Sequence, residues 1–171
     1  AAPALVWVLG TPWEGSEADD AWPWVTPDFA RSPPDAYVPS RQHAPEVLPN
    51  GDLLVYDNGN SRETTSIVRY EIDEATRVGA FVWAWEDPDY EPRLYAPFVG
   101  DVDALPNGNF LQTDGALSLD TDHDGGRTWS RVTELDPTTK TKALELKVRD
   151  VRGAGAVGYQ IYRAERMSLY P

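Results

Sequence analysis

A chain of 171 residues is long enough for one domain with a substantial core, and 41% hydrophobic residues with seven Trp exclude a disordered chain. The net charge of −13 argues against binding to a nucleic-acid backbone, which needs a basic surface. Without cysteine, the chain forms no disulfide bond and offers no thiolate. No apolar run approaches the roughly 20 residues that span a bilayer.

The first region, residues 1–42, is predicted to hold an outer strand followed by an irregular loop. Residues 4–10 are apolar and end at Gly10, which is typical of a strand. Residues 11–41 carry six prolines, which exclude a long helix and most central strand positions. Because this stretch also contains three Trp, we expect an ordered loop rather than a flexible linker.

Two similar four-stranded units are predicted at residues 43–99 and 100–150, followed by a closing strand at 157–165 within residues 151–171. Residues 66–73 alternate between apolar and polar side chains with a period of two, which is typical of a half-buried strand. No segment shows helical periodicity. The strand candidates are residues 44–48, 52–57, 65–73 and 78–85 in the first unit and residues 101–105, 109–114, 128–136 and 143–148 in the second.

A five-residue hairpin motif occurs once in each unit. Leu48-Pro49-Asn50-Gly51-Asp52 returns as Leu105-Pro106-Asn107-Gly108-Asn109, from residue 48 to residue 105, an offset of 57 residues. Asn-Gly between alternating runs predicts a tight primed turn in which both residues adopt positive φ. A repeated hairpin at a long offset indicates an array of similar antiparallel units.

The predicted fold class is therefore all-β, with antiparallel β-propeller blades that make up about half of a six-bladed ring. Propellers close with four to eight blades of four strands, and two whole units leave this ring incomplete. The alternative is a two-sheet β-sandwich of about nine strands.

Several segments resemble the arylsulfotransferase (aryl-sulfate sulfotransferase) family. The similarity begins at Gln42-His43-Ala44 and continues through the stretch from Val55 to Arg62 and the strand around Tyr70. The ending Tyr162-Arg163-Ala164-Glu165-Arg166 also resembles the C-terminal portion of that family.

This resemblance implies a six-bladed propeller, exported to the periplasm or outside the cell, that moves a sulfuryl group between phenols without a nucleotide donor. It also implies that the remaining blades come from another chain or segment, or from another copy of this chain. The rival function from the residues is a non-catalytic propeller scaffold or adhesion module.

His43 and Arg62 match family positions that the resemblance assigns to the sulfate site, and they are the candidate catalytic residues. An imidazole can exchange a proton with a phenolic oxygen, and Arg offers planar paired donors to sulfate oxygens. Asn58 and Asn60, in the same turn as Arg62, are the candidate substrate-binding residues. The alternative roles are a structural His at a strand end and an Arg that locks a loop.

The family's covalent step also needs a nucleophilic His in the blade after Arg62. Residues 110–115 contain none, and the other His of the chain, His123, lies in a predicted surface loop. We therefore expect the chain alone to be inactive as a sulfotransferase.

An acidic loop follows the second unit's second strand. Asp120, Asp122 and Asp124 alternate ahead of Gly125, as in the first half of a calcium loop, and form the candidate Ca²⁺ site. Arg131 stands where such a loop would need Glu, so its second half does not match. The competing interpretation is a structural hairpin turn, because residues 122–129 resemble an Asp-box. No other cofactor is predicted. Trp83 and Trp85 are expected to pack between blades.

Overall fold

The computed structural model describes residues 39–91, 93–118, 128–149 and 158–167, together with the backbone of two short strands before them. These residues form ten strands and no helix, and so contain no helix with the length and hydropathy needed to cross a membrane. The strands are β1 (Val8–Leu9), β2 (Trp24–Pro27), β3 (Gln42–Val47), β4 (Leu53–Asp57), β5 (Ser66–Asp73), β6 (Val78–Trp85), β7 (Asp101–Ala104), β8 (Phe110–Ser118), β9 (Thr128–Asp136) and β10 (Thr141–Val148).

The strands are arranged in two sheets. The first has the order β1-β2-β6-β5-β4-β3 and the second the order β10-β9-β8-β7. Strands β3 to β6 and β7 to β10 each form an antiparallel meander of four consecutive strands, as the alternating patterns predict. The all-β prediction is thus confirmed. Two sheets of this kind also fit the sandwich alternative and do not by themselves establish a propeller.

The prediction that residues 11–41 form an irregular loop is wrong for residues 24–27. These residues form β2, which pairs in parallel with β1 on one side and β6 on the other. The closing strand at 157–165 is not formed over the described residues 158–165, which carry two backbone hydrogen bonds to the second sheet instead.

The two Leu-Pro-Asn-Gly turns differ from the prediction in the same way. Gly51 and Gly108 have φ of 90° and 87°, whereas neither Asn has positive φ. Each Gly N–H donates to the Leu carbonyl three residues earlier, and each Leu N–H donates to the residue after the Gly. These are three-residue loops, a type I turn followed by a left-handed glycine. Proline decides the type, because its fixed φ suits the second position of a type I turn.

The main core lies between the two sheets. The first sheet contributes Leu54, Tyr56, Ile67 and Trp85, and the second contributes Val102, Phe110 and Leu135. Trp83 packs against this cluster and contacts the ring of Phe110 edge to face, which confirms that the two tryptophans pack between units. A separate cluster occupies the opposite face of the first sheet, namely Leu53, Val55, Val68 and Tyr70. Successive side chains of β4 point to opposite faces of the sheet, and both faces of this strand are buried.

Candidate functional site

His43 lies in β3, the edge strand of the first sheet. It is paired with Tyr56 of β4, so both side chains stand on the face that meets the second sheet. The register shifts just beyond His43, where Ala44 adopts a φ of 47°. This bulge ends the regular ladder beside the imidazole, which remains partly accessible.

Asp57 organises the turn that follows β4. Its buried carboxylate accepts hydrogen bonds from the backbone N–H groups of Ser40 and Gly59, at 2.7 and 3.0 Å. The Nη2 of Arg62 lies 2.5 Å from the other carboxylate oxygen, with 27% of the Arg62 side chain exposed. This charge-assisted hydrogen bond holds the guanidinium at the end of β4. Arg62 thereby fixes the loop that follows the strand.

His43 and the carboxylate that holds Arg62 belong to opposite faces of the first sheet. Consecutive residues of a strand point to opposite sides, so Tyr56, the partner of His43, and Asp57, the partner of Arg62, diverge. Gly59 makes the sharp return possible: it has a φ of 65°, and a Cβ there would lie 1.8 Å from the Thr64 carbonyl oxygen.

Asn58 and Asn60 fasten the loop between the two sheets. The amide of Asn58 donates to the carbonyls of Ala96 and Val99 at 2.7 and 3.0 Å, and the amide of Asn60 donates to that of Pro97 at 3.1 Å. Val99 has a φ of 53°, an unfavourable conformation for a β-branched residue. The side-chain oxygen of Asn58 has no hydrogen-bond partner and is buried.

Tyr162 brings an aromatic ring to His43 from the other end of the chain. The two ring centroids are 6.2 Å apart with the planes at 90°, an edge-to-face contact. Next to it, Arg163 lies 3.4 Å from Asp101 and 3.8 Å from Asp103 of β7. The C-terminal described segment thus reaches the imidazole.

A buried charged network occupies the stretch in which a nucleophilic His was sought. Asp114 accepts hydrogen bonds from Tyr56 at 2.9 Å, from Gln112 at 2.6 Å and from Arg131 at 2.8 Å. Arg131, which is fully buried, also pairs with Asp87. Since Asp114 and Arg131 are inaccessible to solvent, they join the sheets and are not placed to meet a substrate.

Three pKa values near the site are raised, mainly by burial. For Tyr56, burial raises the pKa well above its usual value, and the charge of Asp114 adds to this. For Tyr70, burial and then the charge of Asp57 raise the pKa, while Arg62 opposes them. Burial and the neighbouring Asp103 raise the pKa of Asp101 to about 6, against the lowering effect of Arg163.

The structure places four of the predicted site residues in one turn and its neighbouring strand. Asn58, Asn60 and Arg62 share the turn after β4, and His43 adjoins it through β3. Asp120, Asp122 and Asp124 lie outside the described residues, and so does His123. Among the residues that are described, no group of three His, Asp or Glu could hold a metal ion.

Sequence reasoning missed Tyr162 and the network around Arg131. The segment containing Tyr162 resembles the C-terminal portion of the family, but no pattern in the sequence indicates that it returns to His43. Residues 129–135 of β9 are all buried, so no alternation along this strand singles out Arg131 as a core residue.

Comparison with models of known protein families gives a match. The model of the family described as Arylsulfotransferase (ASST) matches residues 2–160. A search of curated proteins returned no match.

Proposed function

Because the chain belongs to the arylsulfotransferase family, we propose that it forms part of a site that transfers a sulfuryl group between phenolic compounds. The observation that carries this proposal is the family match over residues 2–160. In addition, Tyr162 lies beside His43, and Arg62 is held at the end of β4, the strand that pairs with the strand of His43.

Arg62 and His43 have distinct roles in this proposal. The guanidinium of Arg62, oriented by Asp57, would donate to the sulfate oxygens through its planar fork. The imidazole of His43 would give a proton to the departing phenolate as the donor's S–O bond breaks. The sulfuryl group then passes to a nucleophile that residues 110–115 do not provide, so we expect no turnover by this chain alone.

We also propose that the two meanders are adjacent blades of a propeller. Support comes from their first strands, β3 and β7, which lie side by side: the backbone N–H of Ala104 donates to the carboxylate of Glu46 at 2.8 Å. First strands that meet at a common axis are the arrangement of neighbouring blades. The remaining blades would come from another segment, another chain or another copy, and the assembled protein would act outside the cytoplasm.

Binding of an aryl sulfate by the 171-residue chain tests the proposed site. We expect p-nitrophenyl sulfate to shift the NMR signals of the His43 ring, and Arg62→Lys to weaken this binding at least threefold. Lys keeps the charge opposite Asp57 but lacks the planar fork. Arg77→Lys, at an exposed position in the turn between β5 and β6, serves as the matched control.

Two outcomes would contradict parts of this proposal. If the wild-type chain does not bind the aryl sulfate, the non-catalytic scaffold becomes the better account. If the isolated chain releases p-nitrophenol in the presence of a phenol acceptor, the site is complete and the need for further blades is refuted.

A further inference from the structure

Residues 158–161 are fastened to the second sheet by their backbone. The N–H groups of Tyr159 and Ile161 donate to the carbonyls of Thr128 and Gly115, at 3.0 and 3.1 Å. The hydroxyl of Ser130 also donates to the carbonyl of Tyr159 at 2.9 Å. These bonds fix the direction in which the chain leaves Ile161 for the edge of the first sheet.

Beyond Ile161, Tyr162 contacts His43 with little packing of its own. The residue is 61% exposed. A ring so open to solvent is not confined by close-packed neighbours, since exposed side chains exchange rotamers rapidly. Its position beside the imidazole therefore depends on what fixes the backbone on its other side.

Arg163 provides this second attachment. Its guanidinium spans Asp101 and Asp103, which are two residues apart in β7 and so lie on the same face of that strand. Asp101 is only 6% exposed, whereas the side chain of Arg163 is 54% exposed. The arginine thus reaches from the surface segment to a carboxylate embedded in the sheet.

We propose that Arg163 is a positioning residue of the candidate site, and that its pairing with Asp101 and Asp103 holds the Tyr162 ring against His43. This inference rests on the proposed function only in that the surroundings of His43 are regarded as a functional site. Held in this way, Tyr162 forms an aromatic wall beside the imidazole and restricts the direction from which a group can approach it.

The histidine signals in an NMR spectrum test this positioning directly. The chain contains only two His, so selective ¹³C labelling gives two sets of ring signals, and His43→Gln assigns them. All spectra are recorded at the same pH and ionic strength. Tyr162→Leu gives the shift that results from loss of the ring contact.

We expect Arg163→Gln to move the His43 signals at least half as far as Tyr162→Leu does. In Arg163→Lys the signals should lie more than halfway back toward their wild-type positions. Arg166→Gln is the matched control. Arg166 lies in the same segment as Arg163 and pairs with Glu134 of β9, but it does not adjoin Tyr162. Asp101→Asn removes one of the two β7 carboxylates that Arg163 contacts and should move the His43 signals in the same direction as Arg163→Gln, by a smaller amount.

The inference is overturned if Arg163→Gln leaves the His43 signals at their wild-type positions, or if Arg166→Gln moves them equally. It is likewise overturned if Tyr162→Leu has no effect on them. Because these spectra need no aryl sulfate, they stand apart from the binding test: a chain that binds no aryl sulfate can still show the positioning, and the reverse also holds.

Discussion

Asp101 is a single residue whose surroundings change its chemistry. Its carboxyl lies beside Asp103, almost out of contact with water, and the charge of Arg163 opposes the effects of burial and of Asp103. The pKa of about 6 is well above the value of roughly 3.9 expected in an unfolded chain. Between these values the folded protein binds a proton more strongly than the unfolded chain does. The contribution of Asp101 to the free energy of unfolding therefore falls as the pH rises from about 4 to about 6.

The pKa of Asp101 should respond in opposite directions to its two neighbours. Asp103→Asn removes a like charge and is expected to lower this pKa, whereas Arg163→Gln removes a cation and is expected to raise it. Titration followed through the ¹³C signal of the carboxyl measures both shifts. Equal pKa values in the two variants would show that burial alone sets the value.

The turns show how an element can have recognisable residues and yet an unexpected geometry. In both Leu-Pro-Asn-Gly turns the sequence places the hairpin correctly, but proline selects a three-residue loop. The turn after β4 carries a different constraint, because Gly59 is both left-handed and packed against backbone. The strands themselves are predicted to within a few residues at most ends, since their alternation directly reflects which face is buried.

Two glycine substitutions separate these constraints. Gly51→Ala meets nothing within 4 Å, so it should cost only about 1–2 kcal/mol for the left-handed backbone. Gly59→Ala would bring its Cβ against the Thr64 carbonyl and should cost about 3 kcal/mol or more. Urea unfolding of both variants measures the difference. Similar losses at the two positions would mean that the turn after β4 relaxes freely.

At the scale of the whole molecule, the two sheets are joined by an apolar core with a charged centre. Arg131 of β9 reaches Asp114 of β8 and Asp87 of the segment that connects the sheets, and Asp114 in turn binds Tyr56 of β4. Burial opposes the charge of Arg131, but the carboxylates of Asp114 and Asp87 outweigh it and raise its pKa. The arginine stays charged at every pH at which the protein is folded.

Arg131→Met should destabilise the protein by about 3–5 kcal/mol, because it leaves the buried carboxylate of Asp114 without its cation and Asp87 with Lys142 as its remaining partner. Arg93→Met is the control: its ion pair with Glu86 is exposed and should be worth at most about 1 kcal/mol. Thermal and urea unfolding measure both losses. A small loss for Arg131→Met would indicate that water replaces the guanidinium between the sheets.

Tyr56→Phe tests the same centre from the first sheet. It deletes one hydrogen bond to the buried carboxylate of Asp114 and should cost about 1–3 kcal/mol. Combined with Arg131→Met, the loss should be less than the sum of the single losses, because both side chains bind the same carboxylate. Strict additivity in a double-mutant cycle would rule out coupling through Asp114.

The sequence by itself determined the all-β class, the two repeated four-stranded units and the residues of the first unit that resemble a sulfuryl-transfer site. These depend on local alternation, turn residues and contiguous motifs, which a chain carries in its order. Only the tertiary structure decided that β2 inserts beside β6, that Tyr162 returns to His43 and that Arg131 is buried between the sheets. Such contacts join residues tens of positions apart. They form because burial and charge pairing stabilise residues that are close in space, whatever their order along the chain.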